Sequence, residues 1–380
     1  MKFRVERDVL AEAVAWVART LPARPPVPVL AGLLLEAGDD GLTLATFDYE
    51  VSSRANVDVA EPGRVLVSGR LLAEIARSLP ARPVDVALED GDRKVVITCG
   101  ASRFVLLTLP LEDYPALPEM PEGAGQVGGA TFAQAVSQVA VAAGRDDTLP
   151  VLTGIRMEFD GERVTLAATD RYRLAVRELV WTPDRTSAEA IALVRARTLA
   201  DTARALGDAP AVAIALTGNG VGEGLIGFEG TIDGHSRRTT TRLVDGEFPK
   251  YRALLPAESS SLAAIDTASF IESVKRVALV AERNTPVRLS FSEGELRLEA
   301  GTGDEAQAVE VLEAALSGDA LTIAFNPQYL LDGLAAIGTP VAELAFTTPT
   351  KPAVLAGRAE PEAVADLAYR YLLMPVRLSG

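Results

Sequence analysis

One cysteine and one histidine occur in 380 residues, which removes much of the usual chemistry at the outset. The single thiol, Cys99, allows no intrachain disulfide, and within the strand-like VVITCG it reads as a small core residue. His235, in TIDGHSRR beside a turn, has no second histidine or nearby cysteine with which to build a zinc site, and no Ser/His/Asp set forms around it. No apolar run approaches the ~18 residues that span a bilayer. MKFRVERDVL is charged where a secretory signal is apolar, so a cytoplasmic protein without membrane contact is expected. Basic residues are in the minority, 37 against 52 acidic, for a net charge of −15. On the total alone this argues against nucleic acid, whose binding rests on Lys and Arg displacing counterions. GEGLIG (222–227) has G-x-G-x-x-G spacing but runs into strand-like GFEGTI instead of a helix, so the phosphate cradle is missing and a hairpin is expected. Adjacent Asp146 and Asp147 in a loop read as solvated and not as magnesium ligands. No catalytic residue, metal site or cofactor is predicted.

The chain does have internal repetition. The stretch 131–176 recurs in degraded form upstream and downstream, with apolar residues at helical spacing: Phe132, Val136, Val139 in the central copy, Leu10, Val14, Val17 before it, and Phe270, Val274, Val277 after it. Each helix precedes an apolar strand that the pattern opens with proline, at Pro28, Pro150 and Pro286, and then a second strand ending near Asp48, Asp170 and Asp304. The first helix is expected over 8–20 with Asp8 as its N-cap. A second helix per copy follows, marked by Leu72, Ile75, Leu79, by Leu199, Thr202, Leu206 and by Leu330, Gly333, Ile337. Between helices, period-2 segments such as GLTLATFD and GRVLVSG read as antiparallel strands. The fold class is therefore α+β: three similar domains (1–120, 129–255, 256–380), each a pseudo-duplicated helix-plus-four-strand unit, with Pro/Gly-rich crossings near 110–130 and 243–256.

Charge is unevenly spread. The six helical windows (8–24, 70–82, 131–145, 195–206, 267–283, 327–338) hold 12 basic and 7 acidic residues in a chain of net charge −15. That excess fits solvated amphipathic faces, and its sign is also the one a basic channel within an acidic shell needs. Helices at six equivalent places can line one surface while strands form the other. The outermost strands of the first and last domains are then open edges, which a second copy pairing head to tail would cover, closing a ring.

Eight segments in order, MKFRVERDVL, ARPPVPVLAGLLLE, DTLPVLTGIRMEF, ATDRYRLAV, VDGEFPKYRALLP, RNTPVRLSF, FNPQYLLDGL and YLLMPVRL, resemble the bacterial DNA polymerase III beta subunit, the sliding-clamp family, over essentially the full length. The resemblance implies half of a DNA-clamp ring: a homodimer that encircles and slides on double-stranded DNA, a non-catalytic processivity factor that tethers polymerases and other replication and repair proteins. The implied partners are the clamp loader, the polymerase III alpha subunit and other proteins with a clamp-binding motif, and the implied place is the cytoplasm, at the nucleoid. It also implies a peptide-binding cleft between the second and third domains at Leu152, Thr169, Arg171, Tyr172, Arg173, Leu174, Pro249, Leu254, Asn326, Tyr329, Leu373, Met374, Pro375, Val376 and Arg377. Read without it, Met374-Pro375-Val376 would be strand packing, whereas two arginines and an aromatic at a strand end suit a short peptide with an apolar anchor and a polar handle. The sequence departs from the family pattern at Ala253, Asn284, Thr350 and Pro352.

By the same resemblance, Arg24 matches a loop arginine that touches DNA in relatives, and Arg70, Arg77, Arg145, Arg195, Arg197, Arg204, Lys275 and Arg276 lie on or beside the channel helices. Singly, each is also an ordinary surface charge. The implied dimer seam sets Arg103, Phe104 and Leu106 against Ala278, Leu279, Glu305 and Glu310 of the other copy, with Phe104 equally able to face a core. The competing readings are a repeat-built interaction scaffold that does not encircle DNA, and a hydrolase with an unrecognised carboxylate site.

Overall fold

The computed structural model describes residues 1–38, 41–57, 61–184, 189–217, 224–281, 285–301 and 307–377. One β-α-β-β-β half recurs six times. The first copy runs β1 (Lys2–Val5), α1 (Arg7–Ala18), β2 (Gly32–Gly38), β3 (Gly41–Phe47), β4 (Val51–Val57), then β5 (Gly63–Ser68), α2 (Gly69–Ser78), β6 (Val84–Glu89), β7 (Lys94–Cys99) and β8 (Ser102–Leu109). The second runs β9 (Gly123–Val127), α3 (Gly129–Ala140), β10 (Gly154–Asp160), β11 (Arg163–Thr169), β12 (Arg173–Val180) and the short β13 (Thr182–Pro183). Its other half is β14 (Glu189–Arg195), α4 (Ala196–Ala205), β15 (Val212–Leu216), β16 (Leu225–Ile232) and β17 (His235–Arg242). The third runs β18 (Ser261–Asp266), α5 (Thr267–Val277), β19 (Val287–Ser292), β20 (Glu295–Ala300), β21 (Ala308–Glu313) and the short β22 (Ala315–Ser317). It ends with β23 (Leu321–Phe325), α6 (Pro327–Ile337), β24 (Val341–Phe346), β25 (Ala353–Arg358) and β26 (Asp366–Leu373).

Local chemistry accounts for the helix ends. Asn326 accepts from the amides of Gln328 and Tyr329, Pro327 fills the first helical position where no amide is needed, and Gly338 stops α6 in a left-handed conformation (φ 64°). Asp266 caps α5 through the amide of Ser269. The expected cap on α1 is corrected: the helix begins at Arg7, Glu6 holds the cap position without a side-chain bond, and Asp8 lies in the first turn, 2.9 Å from Arg7. There its charge meets the positive end of the helix dipole. The proline-opened strands are also corrected in two copies. Pro28 and Pro150 each open a single 3₁₀ turn, Pro28–Ala31 and Pro150–Thr153, and the strand starts only at the following glycine. A fixed φ and a missing amide suit the start of a turn better than a paired strand. After Pro286 the strand does follow at once.

The chain forms two compact units. Unit 1 holds Met1–Ala133, Trp181–Val194 and Asp201–Leu243; unit 2 holds Gln134–Val180, Arg195–Ala200 and Val244–Gly380. In unit 1 the strand order is β1-β6-β7-β8-β5-β2-β3-β4-β17-β16-β15-β9-β13. The opening strand of each half of the first copy is given to the sheet of the other half, β1 to β6 and β5 to β2. Beyond β4 the sheet continues into the second copy through β17, with Arg237 opposite Ala55 and Thr241 opposite Val51. Unit 2 repeats the scheme. β18 joins β24, β23 joins β19, and β12 continues into the third copy through β26, with Arg173 opposite Leu373 and Arg177 opposite Tyr369.

Among the described residues several strands keep an open side: the sheet ends β1, β13, β14, β22, β21 and β23, and most of β8. β8 pairs with β7 through Ser102–Leu107 but meets β5 only at Thr108 and Leu109, and β21 ends the order β21-β20-β19-β23. Inside the units, the repeat's marker residues form the cores: Leu10, Val14, Val17, Leu33 and Leu34 in unit 1, and Phe270, Val274, Val277, Leu289 and Leu298 in unit 2 are buried. Cys99 is buried too, its Sγ 3.4 Å from the carbonyl oxygens of Pro80 and Arg82. His235 closes the β16–β17 hairpin opposite Ile232, after a turn in which Asp233 and Gly234 both take positive φ. Phe270→Ala, which empties a fully buried site, is expected to cost about 3–5 kcal/mol in urea unfolding. Val364→Ala, at a side chain 91% exposed, is expected to stay within about 0.5 kcal/mol.

Candidate functional site

A cavity of about 780 Å³ opens on unit 2. Three segments wall it: the loop after α3 (Ala143, Gly144, Arg145, Asp146, Leu149, Leu152), the β11–β12 turn (Asp170, Arg171, Tyr172, Arg173) and the first turns of α6 (Gln328, Tyr329, Asp332). The turn is set by side chains. Asp170 Oδ1 accepts from the amides of Tyr172 and Arg173, both at 3.0 Å, while Thr169 Oγ1 accepts from the amide of Arg171 and donates to the carbonyl of Arg173 at 2.7 Å. Arg171 takes φ 80°, a conformation that side-chain-bearing residues avoid, which turns Tyr172 outward, 56% exposed.

Arg173 is the hub. Its buried guanidinium donates from Nε to Asp170 (3.0 Å) and from Nη1 to Asp332 (2.5 Å) and to the Tyr371 hydroxyl (3.2 Å). It also lies 4.4 Å from the centre of the Tyr329 ring, on which Tyr172 stacks in turn at 6.2 Å. Burial alone would lower its pKa; Tyr371, Asp332 and Asp170 outweigh that and raise it, so the cation is fixed at any ordinary pH. Tyr371 is there because α6 carries glycine where the other copies have a larger residue. A Cβ on Gly333 would meet the Tyr371 ring at 2.5 Å. The Tyr371 hydroxyl donates to the Tyr329 carbonyl at 2.9 Å, and burial raises its pKa so that it stays a donor.

Of the residues predicted for this cleft, Leu152, Arg171, Tyr172, Arg173 and Tyr329 line it. Thr169 and Leu174 are buried beneath the turn and Asn326 caps α6. The segment after β26 runs alongside: the Met374 amide donates to the Tyr172 carbonyl (2.9 Å) and that of Val376 to Ala324 (2.8 Å), leaving Met374 and Val376 exposed between Leu373, which is buried, and Arg377. Pro375 sits between them, half-buried. Pro249 and Leu254 are exposed and do not line the cavity; they flank Tyr251, which belongs to a separate cluster. Arg252 and Arg156 both bond Glu158, and the Tyr251 hydroxyl donates to it at 3.1 Å. Burial, then the Glu158 charge, pushes Tyr251 up to about 12. Ala253 and Thr350 are exposed, Pro352 is half-buried, and Asn284 lies outside the described residues.

Sequence reasoning missed Gln328 and Asp332, which bond each other at 2.7 Å. Their i, i+4 spacing beside Tyr329 was the available signal. It also missed a difference from the first copy, where Phe47 stands at the position of Thr169 and packs with Val29, Leu30 and Tyr114.

All nine cations predicted to face DNA are exposed. In unit 1, Arg70 donates to the carbonyls of Pro22 and Ala23, and Arg204 is 3.8 Å from Asp201. In unit 2, Lys275 pairs with Glu272 and Arg276 holds Glu310 with two bonds of 2.6 and 2.7 Å. Arg276 and Glu310, assigned by sequence to two different surfaces, therefore occupy each other. On β8, Arg103 is exposed and Phe104 half-buried, but Leu106 is 2% exposed and belongs to the core. Period-2 alternation instead turns Val105 and Leu107 outward, as it does Val309 and Val311 on β21. Leu279 is 84% exposed beside half-buried Ala278, and Glu305 lies outside the described residues. Among the described residues, no three His, Cys, Asp or Glu side chains are placed to hold a metal and no helix is long and apolar enough to cross a membrane.

Three repeats of one strand-exchanged α+β domain, with helices in pairs and an aromatic and arginine cleft on one unit, define the DNA-clamp class of fold. The DNA polymerase III beta subunit models match along the chain: the N-terminal domain over 1–118, the central domain over 126–250 and the C-terminal domain over 252–377. The chain is 64% identical to the beta sliding clamp of Streptomyces coelicolor across 100% of both chains. It is 47% identical to the beta sliding clamp homolog GriR of Streptomyces muensis across 99% of both. A solved sliding clamp from Pseudomonas aeruginosa, bound to griselimycin, superposes with a TM-score of 0.88 at 28% identity, covering 100% of each chain. The chain belongs to the DNA polymerase III beta subunit family, the sliding clamps, and is a non-catalytic processivity subunit.

Two measurements check the site's electrostatics. Arg173→Ala takes the buried guanidinium away from half-buried Asp170 and Asp332 and is expected to destabilise the protein by about 3 kcal/mol in urea. Burial acts to raise the Glu158 pKa, but the bonds and charges of Arg252 and Arg156 hold it below its usual 4.5. A depressed folded pKa gives stability that is present above pH 4.5 and lost as pH falls through the folded value. The urea midpoint of Glu158→Gln should accordingly lose less than that of the unaltered protein on acidification below pH 4.5.

Proposed function

We propose that two copies of this chain close head to tail into a ring around duplex DNA, and that the unit 2 cleft recruits proteins to it. The observation that carries this is the rule by which copies are joined. The last strand of a copy's second half pairs with the last strand of the preceding copy's first half, as β17 does with β4 and β26 with β12. Applied once more, the rule pairs β8 with β21 of another molecule, and both of these strands have an open side. Exposed Val105 and Leu107 on one and Val309 and Val311 on the other supply the apolar contact that makes such an edge an interface. The domains are then 1–120, 129–255 and 256–380, in keeping with the matched ranges.

Duplex DNA is held by enclosure and by phosphate attraction to exposed arginines and lysines, with no base edge read, which permits sliding. The cleft takes a short segment of the clamp loader, of the polymerase III alpha subunit or of another protein with a clamp-binding motif. The apolar anchors are worth ~1.5–3 kcal/mol each, which gives roughly micromolar binding, about −8 kcal/mol, weak enough for partners to exchange. The protein acts in the cytoplasm at the nucleoid. A scaffold without DNA is not favoured by the family match, and 64% against 47% identity favours the ordinary clamp over the GriR homolog.

Light scattering should give the mass of two chains, and Leu107→Asp that of one with an unchanged circular dichroism spectrum; Leu106→Asp instead unfolds unit 1. On nicked circular DNA the loaded protein should survive rising salt that strips it from linear DNA. Equal loss from both forms would rule out enclosure.

A further inference from the structure

Arg70 is the second residue of α2 and is exposed. Its Nη2 donates to two consecutive carbonyl oxygens of the loop that follows α1, those of Pro22 (3.1 Å) and Ala23 (3.0 Å). The next residue is Arg24, exposed and without an acidic partner within 4 Å among the described residues. We propose that Arg70 is a positioning residue: it holds this loop as a preformed arm that presents Arg24 to a phosphate of the duplex. The proposal rests on the reading above that the chain holds DNA.

The rest of the loop is built to the same end. Thr20 Oγ1 lies 2.6 Å from Ser53 Oγ, and the amides of Thr20 and Leu21 close the end of α1 onto Val17 and Ala18. Leu21 occupies the space a side chain at residue 69 would take, since a Cβ on Gly69 would come within 2.6 Å of it. Gly69 and Arg70, adjacent at the start of α2, therefore act together: one makes room for the loop's apolar anchor and the other clasps its backbone. Pro25 and Pro26 restrict the chain on the far side of Arg24. A cation on a loop already ordered before contact loses less freedom on binding than one on a loose tether. With its Nη2 hydrogens held by the two carbonyls, the guanidinium is fixed against the loop, and Arg70 serves the phosphate through Arg24.

Binding of a labelled linear duplex, followed by fluorescence anisotropy across a salt series, tests this with Arg24→Ala, Arg70→Ala and the double variant, each checked for an unchanged melting temperature. Arg24→Ala should weaken binding and flatten the slope of log K against log salt by about 0.9, the share of one phosphate contact. Arg70→Ala should weaken binding roughly two- to tenfold, the range for the ordering of one flexible side chain, with the slope unchanged. It should also speed amide exchange at residues 21–24 alone, and in the Arg24→Ala background it should weaken binding no further. A flatter slope for Arg70→Ala, or additive losses in the double variant, would make Arg70 a phosphate contact and overturn the proposal. So would undiminished affinity in Arg70→Ala, or in Arg24→Ala while the unaltered protein still binds. Absence of binding by the unaltered protein at low salt would instead count against the DNA reading itself.

Discussion

The architecture depends on one constraint, that backbone donors and acceptors at the side of a strand must find partners. Each half has too few strands to satisfy its own, so it borrows the opening strand of its twin, β5 for the sheet of β2–β4 and β1 for that of β6–β8. The same demand at the far side of β4 and β12 is met by β17 and β26 from the neighbouring copy. The compact units therefore do not coincide with the sequence repeats. Each of the two consists of one whole copy and about half of the central one.

The cleft follows from the same joining. β12 and β26 bring the Arg173 turn beside Tyr371, and α6 adds Asp332 and Tyr329. One buried guanidinium serves two carboxylates, a phenol and an aromatic face, so the cleft floor is fixed while Tyr172 and Met374 remain exposed above it. A rigid polar base with adjustable apolar walls suits the binding of several related segments.

Much of this was legible in the sequence because it is written in period and punctuation. Six helices, their buried stripes and the turn beside His235 follow from spacing and from turn residues, which act over a few positions. Leu106 was misassigned because alternation tells which residues share a face but not which face is inward. That is decided by the sheet's helices and by Val95 across the ladder. Gly333, in the sequence one of the markers of the repeated second helix, is a seat for a ring from β26, contributed 38 positions later in the chain. Gln328 and Asp332 gain their place in the cleft only through Arg173, whose guanidinium bonds Asp332.

By itself the sequence determined the repeated α+β domain, its three copies and the likeness to sliding clamps, since local pattern and order suffice for these. Only the tertiary structure decided which edges stay open, that Arg276 is engaged by Glu310, and that Arg70 grips a loop. Those outcomes turn on distances of a few ångströms between groups far apart in the chain, and neither composition nor spacing carries such distances.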